Sequence, residues 1–205
     1  IILPLWNRYI KLNGDNYLYN KEKGEALMKY LAGHPELKTV FIGQLWDNRM
    51  RSASLDWEMN TVEASYQSNE QALREFCKKL QEMNRQVVLI SPTPCMPYDR
   101  KRFENGLAYL RWRSKQPQAH REEDCFILTP EKYFKANEAV FEMFNRLETE
   151  GVCKILRIEK GMFPDGTFRM CRGKTLYMRD NTHITPPAAI ELLQAVKQDF
   201  MELLK

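Results

Sequence analysis

Two hydrophobic rhythms alternate along the chain. Residues 39–46 (TVFIGQLW), 86–91 (QVVLIS) and 152–158 (VCKILRI) are short apolar runs bounded by polar residues. That is the pattern of strands buried on both faces in a parallel sheet. Helical spacing separates them. Ala26, Leu27, Tyr30 and Leu31 predict a helix over 21–31, closed by Gly33 and followed by Pro35. Ser68 and Gln71 read as an S-x-x-Q capping box ahead of the stripe Leu73, Phe76, Cys77, Leu80 and Met83. A further helix is predicted over about 130–148, burying Tyr133, Phe134, Val140, Phe141, Phe144 and Leu147, with Gly151 ending it. The last helix is predicted to start after Thr185 as N-cap, with Pro186 at its first position and a core stripe of Ile190, Leu193, Val196, Phe200 and Leu203.

Residues 1–20 show neither period and predict an irregular lead-in, and residues 99–120 an irregular or helical excursion whose Arg111, Arg113 and Lys115 form a solvated basic face. Repeated helix-then-strand units predict one α/β domain over 1–205, a three-layer α/β/α sandwich with a mainly parallel sheet.

Composition narrows the function classes. The 205 residues fit one domain, and the excess of 31 Lys and Arg over 27 Asp and Glu is spread along the chain, so no nucleic-acid partner is expected. No stretch approaches the roughly 20 apolar residues that span a bilayer. The chain begins at Ile1 rather than Met, so targeting or membrane segments upstream stay open. Five cysteines show neither a CxxC pair nor regular His/Cys spacing, which argues against structural zinc. Cys77 and Cys153 read as buried free thiols, whereas Cys95, Cys125 and Cys171 lie near loops and are open to pairing.

Open parallel sheets bind ligands at the carboxyl ends of their strands. Four places qualify: Trp46-Asp47-Asn48, Ser91-Pro92-Thr93, residues 159–161, and residues 177–185. The last holds Asp180 three residues before His183. A carboxylate so placed can turn back, hold the imidazole in one tautomer and stabilise it once it takes a proton. D-x-x-H alone is a weak motif, and its position before a Thr-Pro-capped terminal helix sharpens it. The other histidines are His34 and His120.

The run GTFRMCRGKTLYMRDNTHITPPAA resembles the final block of SGNH hydrolases, in particular the SGNH domains fused to membrane acyltransferases of the O-antigen-acetylase type. Leu176, Tyr177, Asp180 and His183 match its LYxDxxHLSxxG pattern, with Ile184-Thr185 in place of Leu-Ser and Pro187 near the usual Gly. VFIGQLW is similar to the Trp-ended strand those domains carry instead of a Gly-x-Asn-Asp block, and VVLISPTP to their strand and proline-rich loop. The resemblance covers about residues 39–205.

It implies an SGNH-hydrolase, flavodoxin-like fold, catalytic Asp180 and His183, and an oxyanion region near Trp46 and Asn48. Taken alone, Trp46 reads as a core aromatic and Asn48 as a turn residue. The family's Gly-Asp-Ser block is not found. Either the chain starts after that block, residues 1–20 being the loop that follows the first strands, or Gly14-Asp15-Asn16 is a degenerate block. The first is favoured, because Gly14 to the Trp46 strand leaves too little chain for the usual intervening strand and helix. Among Ser52, Ser54, Ser65, Ser68, Ser91 and Ser114, only Ser91 stands at a strand end, and it is disfavoured as nucleophile. Met162 stands where the family often has the partner of Cys171, which argues against that disulfide.

The resemblance further implies acyl transfer, most simply of acetyl, to a cell-envelope carbohydrate, or hydrolysis of such an ester, with no metal or organic cofactor. It also implies an upstream transmembrane acyltransferase domain and a place at the periplasmic face of the inner membrane. The alternative is a non-catalytic, glycan-binding module of the same fold.

Overall fold

The computed structural model describes residues 2–4, 21–43, 46, 62–94, 127–169, 171–172, 175–179 and 183–204. The segment 99–120, Cys95, Cys125 and the Gly14-Asp15-Asn16 triplet lie outside them. In chain order the elements are β1 (Ile2–Pro4), α1 (Lys21–Gly33), β2 (Thr39–Gly43), α2 (Val62–Glu82), β3 (Gln86–Ile90), β4 (Ile127–Leu128), α3 (Pro130–Ala136), α4 (Glu138–Thr149) and β5 (Lys154–Leu156). A 3-10 turn (Ile158–Gly161), β6 (Phe168–Arg169), β7 (Cys171–Arg172), β8 (Thr175–Leu176), α5 (Pro186–Ala195) and α6 (Lys197–Glu202) follow. They fall into two compact units, the first made of 1–92, 137–156 and 203–205, the second of 93–136 and 157–202.

The first unit holds a parallel sheet of order β1-β2-β3-β5. The expected α/β fold with a parallel sheet is therefore observed, though Ile2–Pro4, inside the stretch expected to be irregular, forms the strand beside β2. Three residues are too few to show a period. Val40, Ile42, Val87, Leu89 and Ile155 line one face, where Leu31 of α1, Leu73, Phe76, Cys77 and Leu80 of α2, and Val140, Met143, Phe144 and Leu147 of α4 complete the core. The alternate residues Phe41, Val88 and Leu156 are buried too, so both faces are covered, as the continuous apolar runs foretold. Cys77 and Cys153 are free, buried thiols, and burial pushes both up, Cys153 to about 12.

Two helix boundaries differ from expectation. Helix α2 begins at Val62, so positions 68 and 71 lie inside it rather than at its start. Gln71 instead donates to Glu75 one turn on, 2.8 Å away. The helix expected over 130–148 is broken at Asn137, whose φ of −112° and ψ of 14° leave the helical range. Phe134, expected to be buried, is 44% exposed, and Met143 takes a core place. Gly151 ends α4 with φ +71°, the left-handed conformation that suits glycine.

An ion network joins α2 to α4. Glu70 accepts from Arg74 at 2.9 Å and from Arg146 at 2.7 Å, while Arg74 also grips Glu150 at 2.8 and 3.0 Å. Burial pushes the Glu70 carboxyl up, but hydrogen bonds from Arg146 and Arg74 outweigh it and hold its pKa below the ordinary value. With the native pKa below the unfolded one, the unfolded chain takes up the proton first on acidification. The contribution is complete above the unfolded value and is lost as pH falls through the native one. Denaturant melts between pH 7 and 3 are therefore expected to show a steeper acid loss in the parent than in Glu70→Gln. Equal acid slopes would contradict this. At neutral pH the substitution should lower stability by about 2 kcal/mol, because two guanidinium groups lose a charged acceptor.

Candidate functional site

The second unit carries the D-x-x-H segment. It is approached through β8, which pairs antiparallel with β7 (Cys171 opposite Leu176, Arg172 opposite Thr175). Nearby, β6 pairs with β4 and buries Phe168, whose ring meets the buried Tyr177 edge-on at 6.3 Å. From Tyr177 the chain runs into a short hairpin. The Thr185 N–H donates to the Tyr177 carbonyl at 2.8 Å, the Arg179 N–H donates to the His183 carbonyl at 2.8 Å, and Met178 and Ile184 bridge between them. Met178 is fully buried and His183 half-buried.

Arg179 and His183 thus stand opposite each other in the hairpin, joined by one backbone bond. Asp180 itself lies outside the described residues, as do Asp47 and Asn48. The other described histidine, His34, sits at the surface of the first unit, where its Nδ1 is 2.8 Å from Glu36.

Thr185 caps α5 as the sequence suggested. Its Oγ accepts from the Ala188 N–H at 3.5 Å, and Pro186 opens the helix. The same hydroxyl donates to the Leu176 carbonyl at 2.6 Å, tying the helix start to the strand that enters the hairpin. The expected stripe on this helix needs correction. Ala188, Leu192 and Val196 are buried, while Ile190 and Leu193 are 56% and 44% exposed. Close approach explains the change of face: a Cβ on Gly161 would stand 2.7 Å from the Ala195 Cβ and 3.3 Å from the Leu192 carbonyl. Small residues let the helix settle on the Ile158–Gly161 turn, and branched ones would hold it off. The helix also stops at Ala195, and α6 restarts at Lys197.

In the first unit, Trp46 is buried in the core, edge-on to Phe144 at 4.9 Å. Its indole N–H donates to the Ile90 carbonyl at the carboxyl end of β3, at 2.7 Å. An indole has a single donor, and here it is engaged by the backbone. Ser91 is 2% exposed and its N–H continues the ladder to the Leu156 carbonyl at 3.0 Å. Among the described residues no His, Cys, Asp and Glu group suited to a metal ion is present, and no helix is long and apolar enough to cross a membrane.

The family model of the SGNH domain (fused to AT3 domains) matches residues 4–198. The chain belongs to this family. No curated protein and no solved structure matches it. The SGNH domain is a hydrolase- or acyltransferase-like module, and its family associates it with an acyltransferase-3 membrane domain. The fold described above is of the SGNH α/β type.

Two members of the hairpin's surroundings went unnoticed in the sequence. Glu191 accepts from the Tyr177 hydroxyl, and Thr185 does more than cap. A single acid in the apolar run PPAAIELLQAV was the available signal for Glu191.

Proposed function

We propose that this SGNH domain catalyses acyl transfer to, or ester hydrolysis on, a cell-envelope carbohydrate, acetyl being the simplest acyl group, by a Ser-His-Asp mechanism at the periplasmic face of the membrane. The observation that carries the reading is the hairpin bond from Arg179 to His183 just ahead of the Thr185-capped helix, where the D-x-x-H motif falls in the sequence. In this mechanism a serine of the full-length protein attacks the acyl carbonyl as His183 takes its proton. Asp180 holds the ring in the tautomer that accepts, and backbone amides with Asn48 receive the oxyanion. With its N–H on the Ile90 carbonyl, Trp46 contributes by fixing the carboxyl end of β3. A sugar hydroxyl or water then opens the acyl-enzyme. No step calls on a metal or an organic cofactor.

Treating the full-length protein with a fluorophosphonate probe and mapping the adduct by peptide mass tests this. The expected result is one labelled serine, with labelling suppressed in His183→Ala. No adduct at any serine would overturn the catalytic reading and favour a glycan-binding module of the same fold.

A further inference from the structure

The hairpin bearing His183 is small, and among the described residues two ladder bonds close it. So short a ribbon is marginal without outside support, and slipping it by one residue would turn every side chain to the opposite face. Beside the burial of Met178 and the Thr185 hydroxyl bond to Leu176, Tyr177 supplies such support. The Tyr177 ring is buried against Phe168, its hydroxyl donates to the Glu191 carboxylate on α5, and its carbonyl accepts from the Thr185 N–H. Tyr177 is therefore held through both side chain and backbone at the residue from which the ladder runs on to Arg179 and His183. Packing alone does not call for the hydroxyl, since phenylalanine would fill the same space. A phenol given to a carboxylate is a directional, charge-assisted bond, and it ties the ring to α5.

We propose that Tyr177 and Glu191 form a positioning pair for His183, a latch between the last helix and the catalytic hairpin that sets where the imidazole stands. The proposal rests on the catalytic reading of His183 given above. Neither residue touches the reacting atoms; both act through the hairpin.

The test uses Tyr177→Phe, Glu191→Ala and Glu191→Gln, the last keeping an oxygen that can accept from the phenol. With p-nitrophenyl acetate and the full-length protein, Tyr177→Phe and Glu191→Ala should lower kcat about tenfold or more while KM stays within about twofold, as expected when a reacting group is misplaced. Glu191→Gln should recover most of that loss. In the 205-residue chain, carbon–proton NMR should show one sharp His183 ring signal in the parent and in Glu191→Gln. The same signal should be broadened or doubled in the other two variants, with the His34 signal unchanged. Parent-like kcat and a sharp His183 signal in Tyr177→Phe would overturn the latch, and so would a Glu191→Gln variant as impaired as Glu191→Ala. His183→Ala assayed alongside isolates the reading beneath. Turnover that survives it removes the catalytic role, whereas its loss beside a parent-like Tyr177→Phe removes only the latch.

Discussion

By the proposed mechanism, replacing His183 by alanine in the full-length protein is expected to reduce ester turnover by roughly 10⁴-fold, the scale on which a serine triad loses rate when its base or the orienting carboxylate is disabled. The melting temperature should move by less than about 2 °C. These effects part company because of where the residue sits. The bond between the Arg179 N–H and the His183 carbonyl belongs to the backbone, so it survives loss of the imidazole, and the half-buried ring is no part of the core cluster. Asp180→Asn should lower turnover almost as far, since an amide in that place favours the wrong tautomer. Rates with p-nitrophenyl acetate beside thermal melts check both variants. A His183→Ala protein that keeps more than about a tenth of parent turnover would remove His183 from the chemistry.

The largest stability loss is expected at Phe144. Its ring is fully buried on α4 and receives Trp46 edge-on, with ring planes 89° apart. Truncation to alanine removes the transfer energy of the ring and leaves a cavity between α4 and Trp46, together about 3–5 kcal/mol. Trp46 is in turn bonded to the Ile90 carbonyl, so slack at Phe144 should reach the carboxyl end of β3. Urea unfolding followed by circular dichroism gives the size of the loss, and tryptophan fluorescence shows whether the indole has moved. A loss under about 1.5 kcal/mol would mean that the site collapses around the missing ring.

What could be read from the sequence, and what could not, follows from the range of the forces involved. Strands β2, β3 and β5 were legible because burial on both faces leaves an unbroken apolar run. The α2 stripe was legible because it repeats over three turns. The start of α2 was not, since Ser68 and Gln71 mimic a cap that only the tertiary setting refutes. Pairing of Glu70 with Arg146, 76 residues away, has no local signature at all. On α5, Ile190 and Leu193 outweigh Ala195 on any hydropathy scale, yet it is Ala195 with Leu192 that meets Gly161. Two-residue strands such as β4 and β6 have no period to detect. At the hairpin, the Thr185-Pro186 helix start could be read directly. The Tyr177–Glu191 bond could not, because it joins residues from two elements.

Strand β5 reaches the ribosome exit long after β3, its neighbour in the sheet, and α4 arrives in the same late segment, 137–156. During synthesis the apolar face of Val40, Ile42, Val87 and Leu89 must therefore wait, without Val140, Met143, Phe144 and Leu147, while residues 93–136 are made. The nascent chain passes through a stage with an open strand edge and a sheet face that α1 and α2 cover only in part, the surfaces most prone to aggregation and to chaperone capture. Translational speed through residues 93–136 sets how long that stage lasts.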